Sequence, residues 1–166
     1  MRSILITGCN RGLGLGLVKQ LVKTKFSPKY VIATCRNIEN AKALLPVLKT
    51  AAANNADGAL GSKKAAVINM TSILGSIAQN NDGGLYPYRC SKASINMATK
   101  SLSIDLIKDG ILATCVHPGW VKTDMGGNGA PMTIDSSCCS LVQFVENLSE
   151  KHNGGFFQWD GKQLEW

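Results

Sequence analysis

Short runs of apolar, β-branched residues alternate along this chain with longer segments whose apolar residues recur every three or four positions. The first run, Ser3–Thr7, leads into a glycine-containing turn, as a buried parallel strand does. Leu13, Leu17 and Leu21 then fall on one face of a helix. A second apolar run occupies residues 30–35. The opening of the chain therefore predicts a strand, a turn, a helix and a second strand.

The rest of the chain continues this alternation. In order, the pattern predicts a helix over 41–53 that contains Pro46, a strand over 65–71, a helix over 88–108, a strand over 111–116, a helix over 133–149 and a strand over 155–159. Proline is expected in the first turn of a helix or at a kink. Alternating strands and helices favour an α/β, Rossmann-like doubly wound fold with a parallel sheet. The length of 166 residues predicts a single domain.

Composition and charge argue against several classes of protein. Apolar residues make up 45% and charged residues 17% of the chain, as in an ordinary globular protein. Apolar runs fall short of the roughly 18 residues of a transmembrane helix, and the first one is too short for a signal peptide. We therefore expect a cytoplasmic protein with no membrane partner. The six cysteines and two histidines lack metal-ligand spacing, which predicts no metal site. The net charge is +7, but the basic residues are scattered, so we expect no nucleic-acid partner.

A glycine cluster lies between the first strand and the first helix. It has the spacing Gly-x-x-x-Gly-x-Gly, and no Gly-Lys-Ser/Thr follows, which argues against a P-loop hydrolase. Glycines let the backbone approach a pyrophosphate, and the helix N-terminus offers free N–H groups and the positive end of a dipole. The turn therefore predicts a dinucleotide site formed by Gly8, Asn10, Arg11, Gly12, Leu13 and Gly14.

Two arginines indicate which dinucleotide is bound. Arg11 lies within the turn, and Arg36 directly follows the second strand. An acidic residue at the end of that strand would bind the ribose 2′-hydroxyl of NAD. The position is basic here, and a guanidinium can pair bidentately with a 2′-phosphate. We therefore expect NADP(H) to be favoured over NAD(H), and two ordinary surface arginines are the alternative interpretation.

Ser72, Tyr88 and Lys92 are the candidate catalytic residues. Tyr88 and Lys92 are four positions apart and share a helix face, and Ser72 follows the third strand. Doubly wound sheets bind their ligands at that end of the strands. The charge of Lys92 would stabilise the deprotonated form of Tyr88. Tyr88 could then donate a proton to a carbonyl oxygen to which Ser72 also hydrogen-bonds.

The order of glycine turn, serine and Tyr-x-x-x-Lys resembles the short-chain dehydrogenase/reductase family. The match is closest to its C-factor-like or sniffer-like carbonyl reductases, and it extends to segments 69–77, 102–106 and 156–161. Residues 117–125 resemble the Pro-Gly loop of the family. The resemblance implies NADPH-dependent reduction of a small carbonyl substrate, which would be an aldehyde, a ketone or a quinone. It also implies cofactor contacts from Pro118, Gly119, Val121 and Thr123, with Thr123 at the nicotinamide end.

Part of the family pattern is missing between two matching blocks, residues 1–40 and 41–166. The missing part contains an Asn-Asn-Ala-Gly strand, the acidic turn that meets the adenine and the asparagine that completes the catalytic group. We therefore expect that two strands and most of three helices are lost, as an alternative transcript or a gene-model error would produce. One of the two long helices through which the family dimerises survives only as its tail, so the usual homodimer is doubtful.

Loss of the strand beside the first one leaves either a gap or a new pairing in the sheet. We expect segment 65–71 to move beside Ser3–Thr7, because this keeps the sheet continuous and its backbone groups paired. Such a move would displace the three candidate catalytic residues by about 4.8 Å relative to the glycine turn. Two interpretations follow. The chain is an NADPH-dependent carbonyl reductase, or it is a catalytically impaired remnant that binds a dinucleotide weakly or pairs with a full-length relative.

Overall fold

The computed structural model describes residues 3–8, 11–23, 30–34 and 40–166. The strands and α-helices in these ranges are β1 (Ser3–Thr7), α1 (Gly12–Lys23), β2 (Tyr30–Thr34), α2 (Asn40–Ala53), β3 (Ala66–Met70), α3 (Tyr86–Asp105), β4 (Leu112–His117), α4 (Ile134–Glu146) and β5 (Phe156–Gln158). Short 3-10 helices occupy Ile73–Gly75, Ile107–Asp109 and Glu150–His152. The predicted order of elements is confirmed. Pro46 lies inside α2 rather than in its first turn.

All pairs of neighbouring strands are parallel, as an α/β Rossmann-like fold requires, but the strands form two sheets. β1 pairs with β2, with Leu5 opposite Ile32. The second sheet has the order β3-β4-β5, with Ile68 opposite Thr114. The doubly wound fold class is confirmed, and the sheet is divided where the missing strand would lie.

The prediction that segment 65–71 pairs with the first strand is wrong. Within the described ranges, Ile68 on β3 pairs with β4 and has no partner on β1. All five residues of β3 have a partner on β4. Ala66, Ile68 and Met70 also pack against the main hydrophobic core, which is described below. The other edge of β3 is left without β1, because in the described ranges β1 and β2 are held instead through the close packing of α1 on α4. The gap therefore remains, and the displacement of about 4.8 Å expected for Ser72, Tyr88 and Lys92 loses its basis.

Helices cover both faces of the three-stranded sheet. The main core lies between this sheet and α4, and its buried members are Leu112, Val116, Leu141, Phe144, Leu148 and Phe157. Successive residues of a strand point to opposite faces, so Cys115 faces α3, where its thiol lies 3.9 Å from the Ile95 carbonyl oxygen. In the part of the chain described here, no helix combines the length and apolarity needed to cross a bilayer.

Close packing of α1 on α4 connects the two sheets. A Cβ added to Gly16 would lie 2.5 Å from Cγ2 of Ile134 and 2.7 Å from Sγ of Cys138. The Cys138 thiol lies 3.6 Å from the Leu13 carbonyl oxygen, and Leu17 packs against the main core. The two helices can approach this closely because Gly16 has no side chain.

Replacement of Gly16 by alanine tests this contact. Alanine is the better helix former by about 1 kcal/mol, but the added methyl group would overpack the α1–α4 interface, at a typical cost of about 1–3 kcal/mol. We therefore expect Gly16→Ala to lower the free energy of unfolding, measured by urea denaturation. Gly129→Ala is the control, because a Cβ there would lie 4.0 Å from its nearest neighbour, Trp120. A Gly16→Ala variant at least as stable as the wild type would contradict the packing argument.

Candidate functional site

The glycine turn joins the end of β1 to the start of α1. Gly8 and Gly12 have φ angles of +73° and +54°, in the left-handed region that glycine adopts without steric cost. The Leu15 N–H donates to the Arg11 carbonyl at 3.3 Å, so the first helical hydrogen bond begins within the turn. Leu13 and Gly14 lie in the first turn of α1. Two of the predicted cofactor residues, Asn10 and Arg36, lie outside the described residues.

The glycine turn contacts the loop that follows β4. A Cβ on Gly12 would lie 3.7 Å from Cγ2 of Thr123. Arg11 Nη1 lies 3.1 Å from Asp124 Oδ2, with side chains 65% and 82% exposed. A pair this exposed contributes at most about 1 kcal/mol, so it indicates proximity more than stability. The fold thus brings together two segments that the sequence analysis assigned to one cofactor. Sequence analysis missed Asp124, which is 113 positions from Arg11.

Pro118 and Gly119 fix the start of this loop against α4 and β5. Gly119 has a φ of +87°, and a Cβ there would overlap Sδ of Met132 and lie 3.1 Å from Cδ1 of Trp159. The hydroxyl of buried Ser137 donates to the Pro118 carbonyl at 2.6 Å. The chain therefore needs glycine at this position to turn so close to its neighbours.

The rest of the loop is held by its own backbone. Buried Val121 forms an isolated bridge with Met132, and the Lys122 N–H donates to the Met132 carbonyl at 2.9 Å. Thr123 Oγ1 accepts the Gly126 N–H at 3.1 Å. These contacts hold Thr123 in its place beside the glycine turn.

Ser72 lies directly beyond β3, at the same end of the sheet as the loop after β4. It precedes the 3-10 helix Ile73–Gly75, and its Oγ accepts the Leu74 N–H at 3.2 Å. The side chain is buried. The hydroxyl accepts from its own turn, and its hydrogen can therefore be donated to a ligand.

Tyr88 and Lys92 lie one turn apart at the start of α3. Lys92 Nζ is 5.5 Å from the centroid of the Tyr88 ring, within the range of a cation–π contact. Partial burial lowers the pKa of Lys92 through desolvation. The two side chains share one face of the helix, as their spacing predicted.

The turn that begins at Ser72 packs directly on this part of α3. A Cβ on Gly75 would lie 2.7 Å from Cβ of Lys92. Arg89 Nη1 also donates to the Leu74 carbonyl at 3.4 Å. The fold therefore brings the serine turn to the helical turn of the tyrosine and lysine. Sequence analysis missed Gly75, although its place three residues after Ser72 is a local signal for a close turn.

His117 at the end of β4 is a partly buried polar residue that the sequence analysis did not use. Its Nδ1 is buried without a hydrogen-bond partner in the described part of the chain. Desolvation by burial lowers the pKa of His117 to about 4. The imidazole is therefore neutral at neutral pH and does not act there as a cation.

Sequence comparisons match part of this chain to known proteins. The family model described as "Enoyl-(Acyl carrier protein) reductase" matches residues 39–138. C-signal of Myxococcus xanthus is 43% identical over 100 residues, a match that covers 60% of this chain and 60% of C-signal. The chain thus matches less than two thirds of the length of this relative.

Two solved structures are similar along the whole chain. The carbonyl reductase Sniffer of D. melanogaster has a TM-score of 0.93 at 38% identity, with 100% of both chains covered. The NADPH-bound carbonyl reductase from chicken fatty liver has a TM-score of 0.88 at 29% identity, with 100% of this chain and 99% of that chain covered. The elements described above therefore have the arrangement found in these two reductases.

The lowered pKa of His117 predicts a pH-dependent stability. The unfolded chain takes up a proton on His117 near pH 6.5, whereas the folded chain does so only near pH 4. Stability is therefore fully present above about pH 6.5 and falls as the pH drops toward 4, by at most about 3 kcal/mol. The measurement is urea denaturation of the wild type and of His117→Gln between pH 4 and pH 7.

His152 provides the background in this experiment. Desolvation by burial also lowers the pKa of His152, so it contributes a slope of the same sign in both proteins. We expect a shallower pH dependence for His117→Gln than for the wild type. Equal slopes would show that His117 is not buried as a neutral group.

Proposed function

The chain belongs to the short-chain dehydrogenase/reductase family, and we propose that it is an NADP(H)-dependent oxidoreductase that reduces small carbonyl compounds. One observation supports this most directly. Ser72 lies beyond β3 and packs, through its turn, on the face of α3 that contains Tyr88 and Lys92. β3 pairs with β4, and the loop after β4 contacts the glycine turn through Thr123. This arrangement supports the proposal, because Ser72 and the loop with Thr123 follow the same end of two adjacent strands.

The glycine turn suits the phosphates of a dinucleotide. Left-handed backbone at Gly8 and Gly12 keeps the turn tight, and the first N–H groups of α1 lack helical acceptors. Arg11 adds a positive charge at the turn. In this proposal Gly8, Asn10, Arg11, Gly12, Leu13 and Gly14 bind the pyrophosphate, Arg36 binds the 2′-phosphate, and Pro118, Gly119, Val121 and Thr123 border the nicotinamide end.

The proposed reaction converts a carbonyl group into an alcohol. A reduced nicotinamide held by the residues named above would supply the hydride for the carbonyl carbon. Tyr88 donates its hydroxyl proton to the carbonyl oxygen, and Ser72 donates a hydrogen bond to the same oxygen as negative charge develops there. The ammonium group of Lys92, 5.5 Å from the ring centroid, stabilises the tyrosinate that this transfer leaves.

The divided sheet favours a second candidate function, dinucleotide binding with impaired turnover. In the described ranges β1 shares no strand pairing with β3, so the distance between the glycine turn and Tyr88 depends on helix and loop packing. A misplacement of about 1 Å can reduce a rate about a hundredfold. The absence of the asparagine that completes the catalytic group in the family pattern also favours impaired turnover. Pairing with a full-length relative is a further form of this alternative.

Substitution of Tyr88 distinguishes the two candidates. We expect Tyr88→Phe to slow NADPH oxidation with a panel of aldehydes, ketones and quinones by about 10²- to 10⁴-fold, because it removes the proton donor. Tyr86→Phe is the matched control, since Tyr86 lies two residues away on α3 and is 75% exposed. Its rate should equal that of the wild type.

Thermal stabilisation by NADPH completes this test, because it reports binding without turnover. Stabilisation of all three proteins, with equally low rates for the wild type and Tyr88→Phe, would exclude the reductase and support the impaired binder. Failure of NADPH to stabilise any of them would exclude both the reductase and the dinucleotide binder and leave only pairing with a full-length relative.

The choice of cofactor is tested at Arg36. A charge-assisted bond to the 2′-phosphate contributes about 1.5–3 kcal/mol, so Arg36→Gln should weaken NADPH binding by about 10- to 100-fold and leave NADH binding unchanged. Lys63→Gln, which removes a positive charge from an exposed position, is the control. Equal weakening of both cofactors, measured as dissociation constants by fluorescence titration, would rule out recognition of the 2′-phosphate by Arg36.

A further inference from the structure

We propose that Asn96 is a positioning residue that holds Ser72 against Lys92. The proposal rests on the function proposed above and concerns a residue outside the Ser-Tyr-Lys group. Asn96 is four positions after Lys92 and eight after Tyr88 on α3, so the three residues lie along one side of the helix.

Asn96 binds the chain on both sides of Ser72. The hydroxyl of Thr71, the residue before Ser72, donates to Asn96 Oδ1 at 2.7 Å. Asn96 Nδ2 donates to the carbonyl of Gly75, the last residue of the 3-10 turn, at 3.2 Å. One side chain thus fixes the entrance and the exit of the turn from which Ser72 projects.

These hydrogen bonds are buried, so they define the geometry more strictly than surface contacts do. Thr71 is 3% exposed and Asn96 is 4% exposed. A buried polar group that loses its partner bears the full cost of its desolvation. Alternative positions of the turn that break either bond are therefore disfavoured. A backbone contact adds to this, since the Thr71 N–H donates to the Val116 carbonyl at 2.9 Å.

The same contacts link the turn to the helical turn of Lys92. The Thr71 hydroxyl lies 3.3 Å from the Lys92 carbonyl oxygen. Gly75 lies so close to α3 that an added Cβ would be 2.8 Å from the carbonyl carbon of Lys92. In the proposed reaction, one carbonyl oxygen has to receive hydrogen bonds from Ser72 and Tyr88 together, so a shift of the serine turn along α3 would lengthen one of them.

The fold contains a matched control for this clamp. Asn69 Nδ2 donates to the hydroxyl of buried Thr99 at 2.8 Å. This bond also joins β3 to α3 and also pairs an asparagine with a threonine. It lies two residues before Thr71 on the strand and three residues after Asn96 on the helix, further from Ser72. Its loss should weaken the same interface without moving the serine turn.

The experiment compares variants at the clamp and at the control bond. Thr71→Val keeps the shape of the side chain but removes the hydroxyl. Thr71→Ser keeps the hydroxyl and removes only the methyl group. We expect Thr71→Val and Asn96→Ala to lower kcat at least about tenfold while KM for NADPH stays within about twofold, because the glycine turn is unaffected. Thr71→Ser should have most of the kcat of the wild type. Thr99→Val should keep the kcat of the wild type even where its thermal stability falls as much as that of Thr71→Val.

The outcomes separate the proposal from its premise. If kcat falls equally in Thr99→Val and Thr71→Val at the same loss of stability, the clamp has only a structural role and the inference is overturned. If Asn96→Ala does not fold, the comparison of Thr71→Val with Thr71→Ser decides alone. A wild type that binds NADPH but has no turnover refutes the reductase, and the inference falls with it. If the wild type is active and Thr71→Val has the same kcat, the inference is refuted while the proposed reductase function stands.

Discussion

Helix packing at Gly16 is the contact on which the arrangement of the two sheets depends. In the described ranges, β1 and β2 share no strand pairing with β3, β4 and β5. The N-terminal unit is instead held where α1 meets Ile134 and Cys138 of α4. The exposed Arg11–Asp124 pair adds little to this, because solvent screens it. The location of the proposed cofactor site therefore follows from the absence of a side chain on one residue of α1.

The two halves of the proposed site depend on different kinds of interaction. Ser72, Tyr88 and Lys92 belong to elements connected by a continuous three-stranded sheet and by buried side-chain hydrogen bonds. Among the described residues, the glycine turn reaches this region through helix packing, through its contact with Thr123 and through the exposed Arg11–Asp124 pair. If the proposed function holds, cofactor affinity and turnover should therefore respond to different substitutions, because the two halves rest on different contacts.

The gap in the sheet did not draw β3 toward β1, and the reason lies in the energies that compete. Closing the gap would pair one more set of backbone groups. It would also require α1 to leave its close packing against Ile134 and Cys138 of α4. The apolar contacts of α1 with α4, and of Leu17 with the main core, oppose the new pairing because they would be lost. The elements consequently keep the arrangement seen in Sniffer, with a TM-score of 0.93.

The sequence alone determined what depends on local order. Apolar periodicity located the strands and helices, and spacing placed Tyr88 and Lys92 on one helix face, because both properties repeat over a few residues. Only the tertiary structure decided that β3 pairs with β4 and, within the described ranges, not with β1. The same holds for the contact of Arg11 with Asp124 and for the bonds of Asn96 to Thr71 and Gly75. These contacts join residues 21 to 113 positions apart. Each one results from competition among all the surfaces that the folded chain can bury, and local periodicity carries no information about that competition.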